Sequence, residues 1–129
     1  MNSVFDKQYR KRLFRCIKWA WQRATKGYCD KDLWSIDEWF LSIMPDMIEE
    51  FKETRIGYPG ELRKAFDDKL DEDTLDKLGN EIWDNILDDM IRLMRESNVI
   101  GDLGRYEYHT QCKNEAFELF TKWFYHLWD

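Results

Sequence analysis

Apolar residues recur at spacings of three and four along most of this chain, and strict alternation is almost absent. Over residues 4–25, Phe5, Tyr9, Leu13, Cys16, Ile17, Ala20 and Ala24 fall on one face of a helix, which the pattern predicts to be a core face. Lys7, Lys11, Arg15, Lys18, Gln22 and Lys26 fall on the opposite side as a basic stripe, with Phe14, Trp19 and Trp21 on the flanks. Gly27 stops this helix, because glycine tolerates the left-handed conformation that closes a C-terminus.

The segment KGYCDKDLWSIDEWF then enters a second helix. Asp32 or Ser35 is expected to cap it, with Ser35-x-x-Glu38 in the spacing of a capping box. Ile36, Trp39, Phe40, Ile43, Met47, Ile48 and Phe51 trace its apolar face over 36–54, and Trp39 and Phe40 are expected in the core. Pro45 lies inside that pattern and predicts a kink or a break near residues 42–44. IGYPG is a turn. A helical piece over 61–70, a charged surface link over 71–80 and a helix over 81–96 follow. Asn80 is expected to cap the last of these, and Ile82, Trp83, Ile86, Leu87, Met90 and Met94 to point inward. A terminal helix over 113–127 is expected to bury Ala116, Phe117, Phe120, Trp123, Phe124 and Leu127, and residues 104–109 are a weak strand candidate. The fold class predicted is all-α, a single-domain bundle of about five helices spanning residues 1–129.

Composition sharpens this picture at two points. Seven Trp, eight Phe and six Tyr in 129 residues supply enough aromatic surface for a substantial core. The net charge of −6 conceals a polarity: residues 1–27 hold eight Lys or Arg against Asp6 alone, while residues 65–90 hold ten acids and two lysines. Overall acidity makes nucleic acid an unlikely partner. No apolar run reaches bilayer-spanning length, and the N-terminus lacks the apolar region of a signal peptide, so a soluble, cytoplasmic protein without a membrane partner is expected. Cys16, Cys29 and Cys112 are expected to be free thiols.

Catalytic signatures are lacking: there is no phosphate-binding G-x-x-x-x-G-K-[ST], no G-x-G-x-x-G and no G-x-S-x-G. The acids beginning at Asp71 depart from a calcium loop at Asp76 and Ile82, where glycine and glutamate would be required. His109-x-x-Cys112 offers two zinc ligands without a second pair, so neither a metal nor a cofactor is expected. His126 reads as a surface histidine. Asp84, Asp88 and Asp89 read as a solvated helix face, with a cation site or acid–base pair as the alternative.

GYCDKDLWSIDEWF, Pro45, GYP, EIWDNILDDMI and ELFTKWFYHLWD together resemble a family of small uncharacterised proteins of tailed bacteriophages and prophages. The resemblance covers about two-thirds of the chain and falls on Gly27, Tyr28, Asp30, Asp32, Leu33 and Trp34, on Gly57, Tyr58 and Pro59, on Trp83, and on Leu127, Trp128 and Asp129. It implies a phage protein acting in the cytoplasm of an infected bacterium, and it implies no mechanism. In that setting the residues support a non-enzymatic counter-defence protein that sequesters a nucleotide-like immune signal. Tyr28, Trp34, Tyr58 and Trp128 would stack the ligand, Lys11, Arg15 and Lys18 would meet its phosphates, and Asp30 and Asp32 would supply acceptors. The bland reading of Trp34, Tyr58 and Trp128 is that they plug the ends of the bundle. The alternatives are an inhibitor of a host defence protein acting through the acidic face, and a metal-dependent phosphoesterase on the Asp-rich helices. The flanking aromatics Phe14 and Trp19 also make homo-oligomerisation an expectation.

Overall fold

The computed structural model describes residues 4–99 and 101–128, without the side chains of Val4 and Phe5. The expected inward position of Phe5 and the family position Asp129 therefore lie outside what is described. Among the described residues the chain is all-α and contains no strand. Its α-helices are α1 (Val4–Lys26), α2 (Ile36–Thr54), α3 (Glu72–Glu96) and α4 (Tyr106–Trp123), joined and followed by short 3-10 helices at Asp30–Trp34, Gly60–Ala65, Leu103–Arg105 and Phe124–His126. The chain divides into two compact units, Met1–Trp39 and Phe40–Asp129.

In the first unit α1 ends as expected. Gly27 takes φ 87°, and its N–H closes the last turn on the carbonyl of Arg23 at 3.0 Å. The face of α1 expected to be core is not one, since Tyr9, Leu13, Cys16, Ile17, Ala20 and Ala24 are all exposed. Among the described side chains of α1 the buried one is Gln22, from the polar stripe, because the 3-10 helix Asp30–Trp34 packs on that side and not on the apolar one. Periodicity identified an apolar face correctly and could not say what covers it.

In the second unit a contiguous core joins Ile48 of α2, Leu62, six residues of α3 from Trp83 to Met94 and three of α4, namely Cys112, Ala116 and Trp123. Phe40, Leu41, Met44 and Phe51 of α2 pack against it, whereas Ile43 and Met47 of the expected apolar face stay exposed. α2 runs unbroken through Pro45, whose ring is fully buried; of the two expected outcomes there, a break does not occur. Burial of the ring offsets the lost N–H donor.

Three boundaries differ from expectation. Residues 71–80 are not a surface link: Asp71 caps α3 by accepting the N–H of Thr74 at 3.0 Å, Leu75 is buried, and α3 continues through Asn80. Asn80 is therefore no cap; its amide donates to the carbonyl of Asp76 within the helix. The stretch expected to be helical over 61–70 contributes only the 3-10 helix Gly60–Ala65. α4 begins at Tyr106, taking in residues 106–109 of the weak strand candidate while 104–105 lie in the preceding 3-10 helix, and gives way after Trp123 to a 3-10 turn in which Phe124 is exposed. Tertiary burial of His109 and Cys112 extends this helix toward its N-terminus beyond the reach of the apolar pattern.

Candidate functional site

The sequence candidates divide between the two units. In the first, Asp32 turns back onto the chain that precedes it instead of forward onto α2. One of its oxygens accepts from the Cys29 N–H at 2.8 Å, and Arg23 grips the carboxylate at 2.9 and 3.4 Å. Its carboxyl is lowered to about 2, first by the bond from Arg23 and then by the bond from Cys29. The Asp30 N–H donates to the Gln22 side chain at 2.9 Å, and the Asp30 carboxylate pairs with Lys18 at 3.5 Å. Trp34 meets Trp19 edge-on at 6.0 Å between centroids, and Arg15 and Lys31 lie 5.8 and 5.7 Å from the Trp19 ring centre. Lys26 sits over Tyr28 at 5.7 Å. Asp30, Asp32 and Lys18 thus latch the 3-10 helix to α1. Lys11, Arg15 and Lys18, with Arg10 and Phe14, line an open groove along α1 itself.

In the second unit Tyr58 and Trp128 are brought together. They line one open pocket of about 470 Å³ with Ile56, Trp83, His126 and the backbone of Gly57, Pro59 and Gly60. That volume lies in the range of small-molecule sites. Each wall has a local cause. Arg55, with a side chain only 6% exposed, donates to the Gly57 carbonyl and to the Asn80 side chain, each at 2.8 Å, and pairs with Asp84, which ties the IGYPG turn to α3. Tyr58 lies flat on Gly79, where any Cβ would overlap its ring, and its hydroxyl donates to Asp76 at 2.6 Å. Burial first, and then that acceptor, raise its pKa. Trp83 forms the floor and packs edge-on against Trp123 at 5.5 Å. His126 sits 5.5 Å from the Trp123 ring and 3.4 Å from a Glu61 oxygen, so it is held from two sides. Trp128 is 75% exposed and Trp34 69%, so neither is an end plug; Tyr58 packs as that reading expected.

Three contributors to this pocket escaped the sequence. Helical spacing points Trp83 to the core, the chain-end position of His126 points to the surface, and the signal for Arg55 is only its place just before IGYPG. The other motifs have structural uses. His109 directs Nδ1 at the Glu96 carbonyl and Nε2 at the Asp102 carboxylate, 2.9 Å away, so both ring nitrogens are committed and the His109–Cys112 pair is not poised for zinc. Those two acceptors raise the His109 pKa, the Glu96 carbonyl contributing most. Asp88 pairs with Lys52 at 2.7 Å and Asp89 with Arg92 at 3.7 Å. Among the described residues no group of three or more His, Cys, Asp or Glu side chains is placed to hold a metal ion.

Compared with known proteins, the chain matches no family model, no curated protein and no solved structure.

Proposed function

We propose that this protein acts by binding, and that it captures a nucleotide-like molecule whose flat base enters the pocket of Tyr58, Trp83, His126 and Trp128. The observation that carries this reading is the convergence of those four side chains, from three separate parts of the chain, on one opening of suitable size. An indole as exposed as Trp128 gains most by stacking on a planar partner, and such stacking contributes on the order of 1 to 3 kcal/mol per base. The His126 ring nitrogens can hydrogen-bond a base edge. The resemblance to tailed-phage proteins supports the setting, in which sequestering a host immune signal counters defence. The acidic-face alternative has less support, because within residues 65–90 Glu72 and Asp76 pair with Arg63, Asp84 with Arg55 and Asp88 with Lys52, which leaves less free charge to steer a basic partner.

The test is calorimetry against a panel of cyclic, linear and ADP-ribose-type nucleotides, with the bound compound recovered after heat denaturation. Binding of one class, abolished by Trp128→Ala and recovered chemically unchanged, is the expected result. A converted product would replace sequestration with catalysis, and failure of the whole panel would end the nucleotide reading.

A further inference from the structure

The open face of α1 is the largest feature that the pocket leaves unused. Tyr9, Leu13, Phe14, Ile17 and Trp21 are 69%, 51%, 71%, 59% and 69% exposed. At about 100° per residue they form one continuous arc. Leu13 and Ile17 take its middle together with Ala20 and Ala24. Tyr9 stands at one margin and Trp21 and Phe14 at the other. Cations continue the surface beyond both margins, with Lys7, Lys11 and Lys18 past Phe14 and Arg12 past Tyr9. Arg10 falls inside the arc beside Trp21, where its stem can lie along apolar surface and its head reach outward.

We propose that this face docks onto an anionic lipid surface, with the axis of α1 lying in the plane of the bilayer. Three observations select that occupant. Charge is complementary, with eight basic residues in α1 against Asp6 alone. The aromatic rings stand at the margins of the arc, the level at which Trp and Tyr meet headgroups, and the aliphatic side chains lie between them. Asp6 stands exposed within the arc near the start of α1, while Asp30 is paired with Lys18 and Asp32 with Arg23, so the 3-10 helix packed on the polar side adds little repulsion. A second copy is disfavoured, since α1 against α1 sets two strongly cationic helices together. No helix among the described residues is long and apolar enough to cross a membrane, so the mode is interfacial.

The experiment is co-sedimentation of the full chain with phosphatidylcholine vesicles and with vesicles of phosphatidylcholine and phosphatidylglycerol, at low and high salt. The expected result is binding to the anionic vesicles alone, weakened by salt. Phe14→Ser with Trp21→Ser should reduce it about tenfold or more, and Lys7→Glu with Lys11→Glu should do likewise while keeping the apolar arc. Helical circular dichroism confirms that both variants fold, and Trp128→Ala serves as the control that leaves vesicle binding unchanged. Absence of binding to anionic vesicles overturns the proposal, as does binding that both paired variants leave intact. A vesicle-independent dimer abolished by Phe14→Ser and Trp21→Ser also overturns it, because a second copy would then occupy the face. None of these outcomes depends on whether the pocket takes a nucleotide.

Discussion

α1 and α3 show nearly the same three-and-four pattern of apolar residues, yet one is a bare helix and the other a core. Along α3, Trp83, Leu87, Met90 and Met94 are all but sealed from water, clasped by α4 and by residues of α2. Along α1 the matching positions are open, and the unit is held by Gln22, Arg23, Lys18 and two aspartates. The first unit is latched by polar bonds, and the second is built on hydrophobic burial. Burial removes much more free energy than a few partly exposed polar bonds, so the two should respond to perturbation in different ways.

The largest contrast is expected from Trp83→Ala. Removing a fully buried indole that touches Trp123 should destabilise the second unit by about 3 to 5 kcal/mol in denaturant titration, whereas Trp21→Ala in α1 should fall within about 0.5 kcal/mol of wild type. A sizeable loss with Trp21→Ala would mean that the α1 face is covered in solution. Next is Gly79→Ala. Alanine favours a helix by up to about 1 kcal/mol, but the overlap with Tyr58 should dominate at about 1 to 3 kcal/mol. Combining it with Tyr58→Ala should restore the alanine benefit, a non-additivity that a double-mutant cycle detects.

His109 gives a pH signature to the second unit alone. Its folded pKa is raised above the ordinary value of 6.5, so the charged ring binds its proton more tightly in the folded state. The resulting stability is fully present below about pH 6.5 and is lost as pH rises through the raised value, with Arg105 opposing the shift. His109→Gln should flatten that slope in melts taken from below pH 6.5 upward. Asp32 has the opposite sign. Its folded pKa of about 2 lies below the ordinary 3.8, so its contribution is present above that value and is lost as pH falls toward 2. The smallest global effect is expected here: Asp32→Asn should change the near-ultraviolet signal of the Trp19–Trp34 pair while the main melting transition stays in place.

Helix class, the Gly27 stop, the IGYPG turn and the apolar positions of α3 were legible because each is written in local spacing or in one residue's backbone freedom. Reading 71–80 as a link failed for an identifiable reason. Its acids mask Leu75, and the partner that lies on Gly79 and donates to Asp76 is Tyr58, from a separate part of the chain. Asp32 was expected at a helix start and is indeed a capping-type acceptor, but Arg23, reaching back from α1, drew it to the earlier turn.

The sequence by itself determined that the chain is helical, where most helices lie, and that residues 1–27 are basic, since propensity, periodicity and charge act between near neighbours. Only the tertiary structure decided which apolar faces become core and which remain open, and that Tyr58, Trp83, His126 and Trp128 share a pocket. Hydrophobic burial has no direction along the chain: an amphipathic helix states that one face avoids water, and the partner that covers it is chosen by contacts far away in sequence.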